Sequence, residues 1–305
     1  MPGTFLILRC RGDDNSGITC LVPFLSDLSI TARAPGDPLE RDFSWLSQSF
    51  VTDLSADGMS ILFCERSLSD SLSYEVWLRH LDGSAPVRLG PGCSYELSSD
   101  GKWALSRRES LSAPITVLPT GAGEAWVLQN DLGVLWASWV PGGQHVVLAA
   151  VGPDDDVHLY SQEIAGGPPS LISDEAVQAS QVSPCRVSPD GQRVAALGAD
   201  GFIKLFPLDG GESRPVPGVE QYEIPLRWSE DGRSLFVWRL SSDLPARVDR
   251  LDVETGERSL WREFTPTGPA GVRGIVSLIP TPDGRAYAYS YFRGLETLYL
   301  LSGLK

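Results

Sequence analysis

The chain has 305 residues, with 25 Lys or Arg against 39 Asp or Glu, for a net charge of −14. That balance argues against nucleic-acid binding, which needs a basic footprint. Hydrophobic residues make up 42% of the chain, alongside 31 glycines and 23 prolines. Such a composition excludes both a disordered chain and a helical bundle, and calls for a core threaded by many turns.

The N-terminal stretch MPGTFLILRCRGDDNSGITC has no basic region, and its apolar piece FLIL is too short for a signal peptide. No apolar run approaches the roughly 18 residues that span a bilayer. The expectation is a cytoplasmic chain without membrane insertion as written, or an extracytoplasmic one if it is a fragment of a membrane-anchored protein. Residues 3–46 divide into four strand-like pieces, TFLILRC, ITCLVPF, SITARA and LERDFSWL. Between the first two, Asp13-Asp14-Asn15-Ser16-Gly17 offers oxygen ligands at alternate positions but lacks the distal glutamate of a calcium loop. It reads as a degenerate turn, and Arg11-Gly12-Asp13 as a chance tripeptide.

One turn then recurs along the chain: LSADG (54–58), SSDG (98–101), SPDG (188–191), SEDG (229–232) and TPDG (281–284), with a looser copy, PGG, at 141–143. Asp-Gly between two strands predicts a type I′ turn with positive φ at both central residues. Asp57, Asp100, Asp190, Asp231 and Asp283 are therefore read as structural. An apolar run follows each turn: SILFC (60–64), KWALS (102–106), HVVLAA (145–150), RVAAL (193–197), SLFVW (234–238) and AYAYS (286–290). A second run comes about ten residues later, as in YEVWL (74–78), VHLYS (157–161), FIKLF (202–206) and LETLYLL (295–301). Its alternation marks strands with one buried face. A glycine-rich turn and a short closing strand complete the unit, as in PVRLG (86–90) and RSLWREF (258–264).

Four strands per unit joined by tight turns describe a propeller blade. The anchoring glycines Gly17, Gly58, Gly101, Gly143, Gly191, Gly232 and Gly284 are 41 to 52 residues apart, a period in the range of propeller repeats. The tryptophans Trp77, Trp103, Trp126, Trp136, Trp139, Trp228, Trp238 and Trp261 fall in or beside these runs and are read as packing between blades. The expected fold is a single all-β domain over 1–305, a β-propeller of four-stranded antiparallel blades. Seven blades are favoured, because residues 1–38 are apolar enough to need burial. The alternative is six blades, with LERDFSWL (39–46) closing the ring and 1–38 left over.

The Ser-Pro-Asp-Gly turns resemble the TolB-type, WD-repeat-like propeller repeat of bacteria. Longer stretches are similar to the propeller regions at the C-terminus of membrane-anchored bacterial serine/threonine kinases: ERDFSWLSQS (40–49), LSSDGKWALS (97–106), GADGFIKLFPLDGGESRPVPG (198–218), LPARVDRLDVETGER (244–258) and TPDGRAYAYSYFRGLETLYLLSGLK (281–305). The chain has no glycine-rich loop with its strand lysine and no His-Arg-Asp loop, and Asp42-Phe43 is followed by Ser44. The resemblance thus implies a regulatory or sensing propeller without phosphotransfer.

Other chemistry gives little signal. The five cysteines, Cys10, Cys20, Cys64, Cys93 and Cys185, contain no Cys-x-x-Cys pair and read as free buried thiols, with a Cys10–Cys20 bridge left open. His80, His145 and His158 sit at different repeat positions, which does not assemble a zinc site. Asp154-Asp155-Asp156 reads as a solvated loop tip. No cofactor or metal is expected.

What remains is binding by the loops that join blades, near 47–52, 90–96, 129–137, 174–184, 219–226 and 265–278. The candidate partner-binding residues there are Tyr95, Trp136, Tyr222 and Arg227. The expected function is a monomeric, non-catalytic scaffold or sensor for a protein or peptide, and an acidic surface favours a basic one. The alternatives are a propeller hydrolase or lyase with its site at the central channel, or a structural repeat without a ligand.

Overall fold

The recurrent turn is held by its own side chains. In four of the copies the hydroxyl of Ser55, Ser98, Ser229 or Thr281 donates to the aspartate two residues on, at 2.6 Å. Each of those aspartates accepts a backbone N–H just beyond the glycine, for example from Met59, Lys102 and Arg233. The glycine N–H closes the turn on the carbonyl three residues back, as in Gly58 to Ser55 and Gly284 to Thr281. Only the glycine takes a positive φ, +70° at both Gly58 and Gly284, while the aspartates do not. The geometry is therefore a type I turn followed by a left-handed glycine, and not the type I′ turn expected from Asp-Gly. The hydroxyl–carboxylate pair satisfies the turn's donors in a way a two-residue loop has no room for.

These turns join the strands of a computed structural model that describes residues 5–11, 17–66, 73–108, 110, 113–180, 182–296 and 299–301, with side chains described only between residues 27 and 294. The strands form six antiparallel sheets. Blade 1 runs from Ser49–Leu54 to Val87–Pro91, blade 2 from Cys93–Leu97 to Trp126–Leu128, and blade 3 from Gly133–Trp139 to Ser170–Ser173. Blade 4 begins with two short pieces, Val177–Gln178 and Arg186–Val187, and ends at Arg214–Pro215. Blade 5 runs from Glu223–Trp228 to Arg258–Phe264. The first strand of each blade touches those of its neighbours, so that the six strands close a ring around one axis.

Blade 6 corrects the count of seven. Its two inner strands are Val272–Pro280 and Tyr287–Glu296, and its third is the N-terminal strand Gly17–Arg33, which pairs with Tyr287–Glu296 from Phe24 opposite Glu296 to Arg33 opposite Tyr287. Arg41–Asp42 adds a short fourth strand. Residues 3–46 are thus not a blade of their own. The apolar character that argued for a seventh is used instead to complete the last one: Ile30 and Ala32 are buried in the core beside Ile279, Ala286 and Ala288, and Leu28 is buried as well. Leu295 and Glu296 end the second strand, Tyr299–Leu301 pairs with residues 19–21 of the N-terminal strand, and residues 24–33 are not left over. Glu40 fastens the join by accepting hydrogen bonds from the Tyr287 and Tyr289 hydroxyls, both at 2.8 Å.

Residues 12–16, the degenerate turn, lie outside the described residues. The Phe5–Arg11 strand sets Cys10 opposite Ile18, and Cys20 opposite Leu8. The expectation of free thiols does not hold for two cysteines: Cys64 of blade 1 and Cys93 of blade 2 form a disulfide, with Cα atoms 5.4 Å apart. Cys185 is free and buried.

The turn has a pH signature. Asp57, Asp100 and Asp231 lie below the ordinary carboxyl value of 3.8, chiefly because each accepts a hydroxyl hydrogen bond. A carboxyl lowered on folding adds stability above its unfolded pKa and loses it as pH falls through the folded one. The triple variant Asp57→Asn/Asp100→Asn/Asp231→Asn is expected to be less stable than wild type at neutral pH, with the gap closing as pH falls through and below about 4. Urea midpoints across that range check this, and a gap that stays constant would contradict it.

Candidate functional site

Aligning the blades on their turn glycines places one residue of each first strand at the same point, five positions before the glycine: Asp53, Glu96, Ser138, Arg186, Arg227 and Ile279. Strand periodicity turns equivalent positions of equivalent blades toward the same place. That place is the axis of the ring, so two carboxylates from blades 1 and 2 face two guanidinium groups from blades 4 and 5.

The groups pair across the channel. Arg227 donates from Nη2 to the Asp53 carboxylate and to the Leu54 carbonyl at 3.1 Å. The other Asp53 oxygen accepts the backbone N–H of Leu97 at 2.8 Å. Glu96 accepts Arg186 Nη1 on one oxygen at 3.3 Å, and Ser138 Oγ at 2.6 Å and Trp139 N–H at 2.8 Å on the other. The Arg186 guanidinium also lies 5.3 Å from the Trp136 ring centre, a cation–π contact. Two indoles tie blade 4 to its neighbours: Trp136 donates to the Cys185 carbonyl at 3.0 Å and Trp228 to the Arg186 carbonyl at 2.9 Å.

Burial sets the electrostatics. Asp53 is 1% exposed and Arg186 4%. Loss of water raises the Glu96 carboxyl above its ordinary value and lowers Arg186, each opposed by the charge of the other. Burial likewise pushes the Cys185 thiol up to about 12. Beside the ring a cavity of about 20 Å³ remains, lined by Arg186, Thr52, Trp136, Leu226 and Ser277 among others, room for about one water molecule. Among the described residues no group of three or more His, Cys, Asp or Glu is placed to hold a metal ion.

The four residues singled out from the sequence are not brought together into one surface. Tyr95 and Trp136 are 1% and 2% exposed and pack edge to face, with ring centres 5.2 Å apart. The Tyr95 hydroxyl accepts from Arg107 Nε at 2.8 Å. Arg227 sits in the channel on Asp53. Tyr222 alone is on a connecting loop; it is 57% exposed, has φ +64°, and donates its N–H to the Gly201 carbonyl at 2.7 Å. The reason for this spread is that much of 47–52, 90–96, 129–137 and 219–226 is not loop. These segments contain or begin the first strands of blades.

The channel ring is not legible within any one repeat, where each of these residues reads as an isolated polar position on a strand. The signal was present: Asp, Glu, Ser, Arg and Arg recur at one offset where a buried strand predicts apolar residues.

The fold and the filled axis define a six-bladed propeller of TolB-like architecture. A putative TolB from Agrobacterium tumefaciens superposes with a TM-score of 0.61 at 17% identity, covering 88% of this chain and 99% of that one. TolB from Acinetobacter baumannii gives 0.59 at 16% identity, over 77% of this chain and 64% of that one. Oligogalacturonate lyase from Vibrio parahaemolyticus gives 0.51 at 15% identity, over 92% and 76%. At such identities the likeness is one of fold alone, and it extends to TolB proteins and to an enzyme. No protein-family model matches the chain, and no curated protein matches its sequence.

Cutting one member of a pair leaves its partner charged and buried. Arg186→Met is expected to lower stability by about 3–5 kcal/mol at neutral pH, and adding Glu96→Gln to recover part of the loss by removing the stranded carboxylate. Chemical denaturation measures both. A loss below about 1 kcal/mol, with no recovery in the double variant, would contradict the pairing.

Proposed function

We propose that this protein is a non-catalytic propeller that binds a protein or peptide, serving as a sensing or scaffolding module in bacterial signalling. The signalling context rests on the similarity to kinase-attached propeller regions. The observation that carries the binding reading is the state of the axis. The acids and arginines that a channel-centred hydrolase or lyase would draw on as general acid, base or substrate clamp are engaged with one another. The space beside them holds about one water. That leaves the outer faces and the rim, where loops and blade edges on a rigid frame are the usual binding elements.

The Cys64–Cys93 bond favours an oxidising, extracytoplasmic setting over a cytoplasmic one, because thiol-reducing systems keep such pairs open in the cytosol.

Two measurements on the protein in its own cell test this. Bait pull-down with mass spectrometry, at physiological salt and at about three times that, is expected to retain a partner at both, since contacts at a specific interface are less screened than diffuse attraction. Loss of every partner, together with turnover of oligogalacturonate or peptide substrates, would overturn the binding reading in favour of an enzyme. Loss of every partner without turnover would favour a structural repeat. Maleimide labelling under denaturing, non-reducing conditions is expected to leave Cys64 and Cys93 unmodified; labelling of both would overturn the extracytoplasmic assignment.

A further inference from the structure

One concavity of the described surface lies on the rim, away from the axis. It is a groove of about 830 Å³ between the outer strand of blade 3 and the outer part of blade 4. Its apolar surface comes from Leu171, Ile172 and Pro215. Leu171 is 53% exposed, a large aliphatic side chain held out on a strand with nothing over it. Ser170–Ser173 is the outermost strand of its blade, so one edge of its backbone is open to another extended chain.

The polar lining is one-sided. Four carboxylates, those of Asp174, Glu175, Asp200 and Glu212, meet a single ammonium, that of Lys204. Lys204 is already held by Glu175 and Asp200, and Ser213 donates to Glu175 as well. Among the described residues Asp174 and Glu212 form no ion pair, and both are exposed. The groove therefore presents an excess of negative charge beside an uncovered apolar strip. Next in the chain to Asp200, Gly201 lies against the exposed Tyr222 ring: a Cβ at Gly201 would sit 2.9 Å from it. Any side chain larger than hydrogen there would push the ring away.

We propose that this groove docks an extended cationic segment of a partner protein. Lys or Arg side chains of the segment meet Asp174, Asp200 and Glu212, and apolar side chains between them cover Leu171 and Pro215. Alternation of this kind suits an extended strand, whose successive side chains point to opposite sides. Backbone pairing along Ser170–Ser173 supplies sequence-independent affinity, and the carboxylates supply selection for charge. The proposal rests on the binding-module reading and assigns that reading a place and a partner chemistry.

The probe is a fluorescein-labelled peptide of about eight alternating leucine and arginine residues, followed by fluorescence polarisation at physiological salt, with a leucine–glutamate peptide as counterpart. Asp174→Lys/Glu212→Lys reverses two exposed charges in the groove, while Glu124→Lys/Glu230→Lys makes the same change in net charge elsewhere. Wild type is expected to bind the arginine peptide and not the glutamate peptide. The groove variant is expected to bind it at least about tenfold more weakly, and the distant variant within about twofold of wild type. Leu171→Ser, at a half-exposed position that leaves the core intact, is expected to weaken binding several-fold. Equal weakening in both charge variants would reduce the effect to net charge and overturn the proposal. So would absence of binding by wild type, or binding of calcium at the groove without binding of peptide. A native partner retained equally by wild type and by the groove variant would overturn the groove assignment while leaving the binding-module reading standing.

Discussion

Opposed charges across the axis are the constraint on which the rest of this propeller depends. Asp53 and Glu96 enter the channel from blades 1 and 2, Arg186 and Arg227 from blades 4 and 5, and each carboxylate meets a guanidinium from a blade two places round the ring. An isolated charge at such a depth costs several kcal/mol, so the four side chains are tolerable only together. Their pairing also fixes registry. A one-residue slip in any of the four strands would turn its charged side chain away from the axis and into the sheet stack. The same carboxylates accept backbone N–H groups of the next blade, Leu97 on Asp53 and Trp139 on Glu96, so that the cross-channel pairs and the blade-to-blade contacts are one network.

A ring of blades must also close, and here it closes between segments far apart in sequence. Blade 6 takes its inner half from residues 272–296 and its outer half from residues 17–42. Ser290 Oγ accepts the Val51 N–H at 2.8 Å, while Ser277 Oγ donates to the Val51 carbonyl at 2.8 Å. Blades 6 and 1 are thereby joined at the axis as the others are. Outside, Tyr287 and Tyr289 hold Glu40, and Arg79 donates to the Phe43 and Ser44 carbonyls at 3.0 and 3.1 Å. The Tyr287 and Tyr289 hydroxyls are both raised above their ordinary value, mainly by burial and then by the adjacent carboxylate, which keeps them protonated as donors.

Much of the fold was legible in the sequence because its grammar is local. The Ser-x-Asp-Gly turn carries its own hydrogen bonds, and the runs after it carry the strand period, so blades 1 to 5 follow from neighbours in the chain. Blade number was not local. Whether residues 27–33 found a blade or finish one depends on a partner strand at 287–296, and strand period is the same in either case. Asp-Gly alone implies a type I′ turn, whereas the hydroxyl two residues before it bonds the aspartate and accompanies a turn with only the glycine left-handed. Tyr95 and Trp136 have the residue types of binding hot spots, yet they are core, since the segments holding them are the first strands of blades. The axis charges were visible only by comparing one offset across repeats, and the rim groove only once blades 3 and 4 lay side by side.

The two readings of the surface follow from the same cause. Because the acids and arginines of the axis are paired with one another, the proposed binding site is placed on the perimeter, where Asp174 and Glu212 form no ion pair among the described residues. The most direct test of that account is a double-mutant cycle on the other cross-channel pair, with Asp53→Asn, Arg227→Gln and their combination, measured by chemical denaturation. The account predicts a coupling of about 2 kcal/mol or more, the double variant being far less damaged than the single losses add up to. Additive losses, with a coupling below about 0.5 kcal/mol, would mean that the charges do not meet across the axis and that the channel is open to a ligand.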